Sequence, residues 1–284
     1  LSSTLTPPAN CSGSIFAYTP ASPTTPGAVT MTWSRPTVLG ISPTSTSGTG
    51  NISETLTNNT NASINVTYIY TITANGCSNT NNVVVTVKPT PVIANKTQTI
   101  CTGTAFTITP VNNAPTEIVP ANTVYTWTVA NNPVVLGESA GTSSTGSISQ
   151  TLTNPTSAAS TVIYTVTPSI NGCTGAPFTI TVVVNPTMSV ANVSTTICTG
   201  STFAITPVDG ALTDVVPAGT LYTWTITPNA SIAGGSNQSV PQANISQTLA
   251  NNAASTQQLV YSVTPQYTNA GLTCSGTPFN ITVN

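Results

Sequence analysis

Ile64-Asn-Val-Thr-Tyr-Ile-Tyr-Thr-Ile72 alternates. Positions 64, 66, 68, 70 and 72 are apolar or aromatic, and Asn65, Thr67, Ile69 and Thr71 intervene. A period of two puts one side of the segment in a core and the other toward water, which is a half-buried strand. Val162-Ile-Tyr-Thr-Val166 and Leu259-Val-Tyr-Ser-Val263 repeat the pattern. Phe106-Thr-Ile-Thr109, Tyr125-Thr-Trp-Thr-Val129, Val83-Val-Val-Thr-Val87 and Phe178-Thr-Ile-Thr-Val-Val-Val184 read as further strands, separated by Gly, Pro, Asn and Ser. No segment reads as a helix.

The strands recur in three copies. Trp33, Trp127 and Trp224 are spaced by 94 and 97 residues, as are Tyr70, Tyr164 and Tyr261. Ile52, Ile148 and Ile245 are spaced by 96 and 97; they open Ile-Ser-Glu-Thr-Leu once and Ile-Ser-Gln-Thr-Leu twice. Pro-rich joints, Val87-Lys-Pro-Thr-Pro91 and Val184-Asn-Pro-Thr187, separate the copies. Proline gives no ladder donor and stiffens a joint. The expected organisation is residues 1–89 (1–10 a lead-in), 90–186 and 187–284, a semi-rigid string. Since Leu1 is not an initiator, the chain is expected to be a processed or excerpted piece, with more copies on both sides.

Six to eight short strands in about 95 residues suit an antiparallel sandwich of immunoglobulin-like type. The fold class expected is all-β, three such sandwiches in an elongated string. Trp33, Trp127 and Trp224 are expected in the cores. Tyr70, Tyr164 and Tyr261 are expected as core or corner residues.

Composition excludes much. Of 284 residues 3% are charged, the net charge is −2 and histidine is absent. Arg35, Lys88 and Lys96 are too few to neutralise phosphates, so no nucleic-acid partner is expected. Without histidine there is no His base and no His ligand. No run approaches the ~18 apolar residues of a membrane span, so direct membrane insertion is not expected. The sequence shows neither a nucleophile paired with a base nor a recurring carboxylate pair, so neither an enzyme nor a cofactor is expected. The Thr/Ser/Asn surface carries few edge charges, which leaves lateral self-association open.

Each copy holds two cysteines: Cys11 and Cys77, Cys101 and Cys173, Cys198 and Cys274. In so polar a chain they point to disulfides and an oxidising compartment. The first of each pair opens a Cys-x-Gly turn. The second follows the Tyr strand, in an Asn-Gly-Cys turn or its longer equivalent. One bridge per copy is the simplest expectation. Yet in a standard sandwich those two positions lie at opposite ends, beyond the ~7 Å Cα limit. Either the strand assignment shifts, or the pairing crosses a joint, such as Cys77 with Cys101. No cysteine spacing suits zinc, and no metal is expected.

Copy one runs Cys11-Ser-Gly-Ser-Ile-Phe-Ala-Tyr-Thr-Pro20, Thr32-Trp-Ser-Arg35, Ser47-Gly-Thr-Gly-Asn-Ile-Ser-Glu-Thr-Leu-Thr-Asn58, Asn75-Gly-Cys77 and Val83-Val-Val-Thr-Val-Lys-Pro-Thr-Pro91. This ordered string resembles the PKD-like, immunoglobulin-like repeats of very large Bacteroidota cell-surface proteins. Among them are the gliding-motility adhesins of the SprB type, exported by type IX secretion. Copies two and three resemble a sister form, with Val-Pro-Ala-x-Thr-x-Tyr-Thr-Trp-Thr, Ile-Ser-Gln-Thr-Leu and Val-Thr-Pro. The tryptophans precede Ser34, Thr128 and Thr225, not the Asp-Phe-Gly-Asp-Gly of PKD modules proper, so no ligand site transfers from that motif.

The resemblance implies stalk or filament repeats of an extracellular adhesin outside the outer membrane, serving surface adhesion and gliding. The expected partners are neighbouring repeats of the same chain, further copies side by side, and a surface polysaccharide. The alternative is a carbohydrate- or protein-binding module. Tyr18 and Tyr267 are its spare aromatics. Glu117 with Asp214, and Asn112 with Asp209, match in register and form its calcium-assisted variant.

Overall fold

The computed structural model describes residues 1–22 and 29–284. Among them regular structure is strand throughout, apart from the single 3-10 turn Ala211–Thr213. Among the described residues no helix is long and apolar enough to cross a membrane.

One architecture recurs three times. In copy two a sheet runs in the order Lys96–Cys101, Phe178–Asn185, Ser160–Ile170, Val124–Val129, Gly141–Ser143. A second sheet pairs Ala105–Ile108 with Ile148–Thr151. Copy one orders Asn10–Cys11, Cys77–Lys88, Ile64–Ala74, Val29–Arg35 and Thr46–Thr49 in the same way, and copy three orders Val193–Thr195, Phe279–Val283, Leu259–Asn269, Leu221–Ile226 and Gln238–Gln242. The two sheets close on three separate cores, running from Phe16 to Val87, from Ile93 to Val184 and from Val190 to Val283. The long strand opposite each closing strand shows the alternation read from the sequence, with Val66, Tyr68 and Tyr70 buried.

Trp33, Trp127 and Trp224 are buried. Cross-strand glycines make room for the first two: a Cβ on Gly48 would lie 2.6 Å from the Trp33 ring, and one on Gly141 would lie 2.4 Å from the Trp127 ring. Tyr70, Tyr164 and Tyr261 are also buried, but they do not occupy equivalent places. Trp127 pairs with Val166 and Trp224 with Val263, whereas Trp33 pairs with Tyr70. The counterpart of Tyr164 and Tyr261 is therefore Tyr68. The rings agree: Phe16–Tyr68, Phe106–Tyr164 and Phe203–Tyr261 stand 5.5, 5.1 and 5.0 Å apart. The segment after Trp33 is shorter by two than in the other copies, and that shift disguises Tyr70 as the equivalent.

A polar knot locks each sandwich below this ring pair. The Tyr164 hydroxyl donates to Gln150 Oε1 (2.8 Å), Gln150 Nε2 donates to the Ser139 carbonyl (2.8 Å), and Trp127 Nε1 donates to the same carbonyl (3.0 Å). Tyr261, Gln247, Ser236 and Trp224 repeat the arrangement. Copy one substitutes an ion pair. Glu54 accepts from the Tyr68 hydroxyl and from Arg35 through Nε (2.9 Å) and Nη2 (2.6 Å). Arg35 is 1% exposed.

Burial away from water pushes the hydroxyls of Tyr70, Tyr125, Tyr222 and Tyr261 up to about 12 from an ordinary 10.0. A phenol held protonated in the fold stabilises it below the unfolded value and withdraws that support as pH climbs through the folded value. With no histidine to titrate, stability should be flat between about pH 6 and pH 9 and fall steeply from about pH 10 upward. Urea midpoints across that range check this; a midpoint that moves between pH 6 and 8 would contradict it.

Candidate functional site: the joints between sandwiches

The first strand of each copy lies parallel to the closing strand. Asn10–Cys11 lies beside Val87–Lys88, Lys96–Cys101 beside Ile180–Asn185, and Val193–Thr195 beside Ile281–Val283. Both strands therefore finish at the trailing end, where the chain leaves the sandwich. There the Cys-x-Gly turn is pinned alike in every copy. The Gly13, Gly103 and Gly200 amides donate to the carbonyls of Leu56, Leu152 and Leu249, each at 2.8 Å. These glycines hold φ of 81°, 76° and 82°, which suits a residue without a Cβ. Ser12 Oγ, Thr102 Oγ1 and Thr199 Oγ1 accept from the amides of Asn58, Asn154 and Asn251.

The second cysteine follows a tight hairpin at the opposite, leading end. Asn75 and Gly76, and Asn171 and Gly172, take positive φ at that turn. In copy one Cys11 lies beside Lys88, while Cys77 begins the same closing strand, Cys77–Lys88. At ~3.3 Å per residue the two are about 36 Å apart, so no bridge can close inside the copy.

The structure pairs the cysteines across the joints instead. Cys11 bonds Cys173, with Cα atoms 5.6 Å apart, and Cys101 bonds Cys274, at 5.7 Å. The trailing turn of one sandwich is tied to the leading hairpin of the next. This corrects the expectation of one bridge per copy, and the crossing partner is not Cys77 with Cys101. Cys77 and Cys198, expected as structural disulfide residues with the other four, are free and exposed.

Hydrogen bonds reinforce each joint. Lys88 Nζ donates to the Asn171 carbonyl (3.1 Å), and Thr90 Oγ1 donates to the Ser12 carbonyl (3.0 Å). At the second joint Asn185 Nδ2 donates to the Asn269 carbonyl (3.2 Å), and Asn269 Nδ2 donates to Asn185 Oδ1 (2.9 Å). Asn185 is fully buried, so this reciprocal pairing satisfies a side chain that water cannot reach. Ser157 Oγ donates to Asp209 Oδ2 across the same joint (2.6 Å), which draws the Asp209 carboxyl below the ordinary carboxylate range.

Glycine sets the close approach. A Cβ on Gly175 would lie 2.2 Å from the Pro91 carbonyl oxygen, and one on Gly276 would lie 2.5 Å from that of Met188. Gly175→Ala is therefore expected to push the first joint apart and leave the cores folded. The fraction of chains that close Cys11–Cys173 on oxidative refolding should drop several-fold, read by peptide mapping; unchanged closure would sink this reading.

The residues weighed for calcium serve the backbone. Glu117 Oε1 accepts from the Ala94 amide (2.9 Å) and pairs with Lys96 Nζ (2.6 Å). The Lys96 ammonium holds its carboxyl below the usual value. Asp214 Oδ1 accepts from the Ala191 amide (2.8 Å). Asn112 Oδ1 and Asp209 Oδ1 accept from Val119 and Val216. Tyr18 is no spare aromatic: it is 6% exposed and packs 5.8 Å from Tyr70. Tyr267 lies half-buried on the leading hairpin of copy three.

One element escapes the sequence reading. Asn58 Nδ2 donates to the Ala62 and Val87 carbonyls, and Asn154 Nδ2 donates to those of Ala158 and Val184. Both residues are buried clamps on the end of the closing strand. The recurring Leu-x-Asn after the Ile-Ser strand is their signal.

A series of small sandwiches tied end to end through cysteines in their turns defines a tandem β-sandwich repeat protein. The PKD-like domain family matches residues 98–188 and 195–284, and the chain belongs to that family. No curated protein matches the sequence. Among solved structures it is similar to human CDH23 EC21-23, at 11% identity, TM-score 0.32, covering 90% of this chain and 88% of that one. It is similar to the insect immune protein hemolin at 12% identity and TM-score 0.29, covering 98% and 73%. Against protocadherin gamma B7 extracellular cadherin domains 1-4 the identity is 9% and the TM-score 0.29, covering 78% of this chain and 57% of that one. The chain thus spans little more than half of that cadherin fragment. Scores this low carry no argument about this protein.

Proposed function

We propose that the chain is a run of load-bearing stalk repeats, residues 1–89, 90–186 and 187–284, in a large extracellular adhesin of the SprB type. It acts outside the outer membrane of a gliding Bacteroidota cell. The observation that carries this reading is the pair of joint-spanning disulfides, Cys11–Cys173 and Cys101–Cys274. Such bonds persist in oxidising surroundings, which favours the cell exterior. They bind sandwich to sandwich, which a stalk needs and an isolated binding module does not. The short border strands Thr46–Thr49, Gly141–Ser143 and Gln238–Gln242 carry no charged side chain, which favours lateral pairing of stalks.

Immunogold electron microscopy of the source cells, with antibody to this chain, tests the reading. Label is expected along thin surface filaments with a bead every ~35–40 Å, the length of a sandwich of seven-residue strands plus loops. Label confined to the cell interior or to isolated globules would overturn it.

A further inference from the structure

The free cysteines occupy the two ends of the same joint chemistry. Cys198 sits in the trailing turn that binds a partner through Cys11 in copy one and Cys101 in copy two. Its local frame is the one pinned in all three copies, through Gly200 and Thr199. Cys77 follows the Asn75-Gly76 hairpin, which has the backbone of Asn171-Gly172 before the bonded Cys173. Each free thiol is thus the counterpart of one already paired.

The surface around Cys198 is concave. A groove of about 310 Å³ opens there, lined by Ile197, Cys198, Leu249, Asn251, Val283 and Asn284. Asn284 follows the closing strand at the sequence position of Asn185, but its carbonyl accepts from the Ile197 amide, two residues earlier in the turn than Asn185 meets Thr102. Asn185 is buried against Asn269 of the following hairpin. In copy one that place belongs to Lys88, which donates to Asn171 of the following hairpin. The occupant that both joints supply is a leading-end hairpin carrying a cysteine.

We propose that the trailing end of copy three receives the leading hairpin of a further sandwich of this kind, and that Cys198 closes a disulfide with the Cys77 of a second copy. The result is a head-to-tail chain in which every joint is covalent. The step is an oxidation: two thiols lose two protons and two electrons to oxidised glutathione, one sulfur–sulfur bond forms, and two molecules of glutathione thiol are released. The inference rests on the two joints seen in the fold, and it stands whether or not the adhesin reading does.

The test is a fusion of two copies with Pro-Thr between them. That insert makes the spacing from Asn284 to the next Cys11 the same as from Lys88 to Cys101 and from Asn185 to Cys198. After refolding in a glutathione redox buffer, the fusion should titrate two thiols, not four, and mapping after combined trypsin and chymotrypsin digestion should link Cys198 to Cys77. Four free thiols, or a different partner for Cys198, would overturn the proposal. Recovery of the Cys11–Cys173 and Cys101–Cys274 peptides, with none of these cysteines left as a thiol, shows that both halves folded. If a half fails to fold, separately folded Cys77→Ser and Cys198→Ser chains are mixed at millimolar concentration. A disulfide-linked heterodimer supports the proposal, and monomers or homodimers alone reject it.

Discussion

Pulled from its two ends, the oxidised chain is expected to stop at about a third of the length that the reduced chain reaches. The covalent path runs from Leu1 to Cys11, crosses to Cys173, returns along the chain to Cys101, crosses to Cys274 and ends at Asn284. At ~3.4 Å per residue this is about 320 Å, against about 960 Å for the reduced chain. One bridge inside each copy would give about 250 Å instead, since the loops Cys11 to Cys77, Cys101 to Cys173 and Cys198 to Cys274 would stay closed. Force–extension curves with and without a phosphine reductant separate these outcomes. Cys77→Ser should leave the oxidised length unchanged. A lengthening in that variant would show that Cys77 is bridged within the chain.

Arg35→Val is expected to produce the largest loss of stability of any single change in copy one. Arg35 and Glu54 are paired in the interior, their side chains 0% and 10% exposed, and Arg35 also donates to the Pro43 and Thr44 carbonyls. Removing one partner of a buried pair leaves the other charge uncompensated, at a cost of about 3–5 kcal/mol. Copies two and three show the neutral solution. Where copy one has Arg35 and Glu54, they carry Val129 with Gln150 and Ile226 with Gln247. The double change Arg35→Val with Glu54→Gln should therefore cost only about 1–3 kcal/mol, mainly from the two unpaired carbonyls. A urea double-mutant cycle on the first sandwich reads the coupling. If the double variant is as unstable as Arg35→Val alone, the charge is not the cause.

Much of the fold is legible in the residues. A period of two needs only one sequence, so Ile64–Ile72 and its counterparts read as half-buried strands, and the tryptophan spacing counts the copies. The site is less legible. The 94-residue step between Trp33 and Trp127, set against 96 between Ile52 and Ile148, already records a two-residue deletion. A second tyrosine two positions along the same face hides its consequence, because Tyr68 and Tyr70 are both buried. The cysteines are harder still. Which ends of a sandwich they occupy depends on the first strand running parallel to the closing strand, and side-chain alternation does not reveal strand direction. The buried asparagines Asn58 and Asn154 go unread for a similar reason. An Asn in an Asn/Thr-rich chain looks like surface until its carbonyl partners are known.

The most direct test of the joint architecture is non-reducing peptide mapping of the native chain, alkylated before digestion. Two linked peptides are expected, Cys11 with Cys173 and Cys101 with Cys274, and alkyl groups on Cys77 and Cys198 alone. Linkage of Cys11 to Cys77, or of Cys101 to Cys173, would place the bridges inside the sandwiches and contradict a stalk locked at its joints.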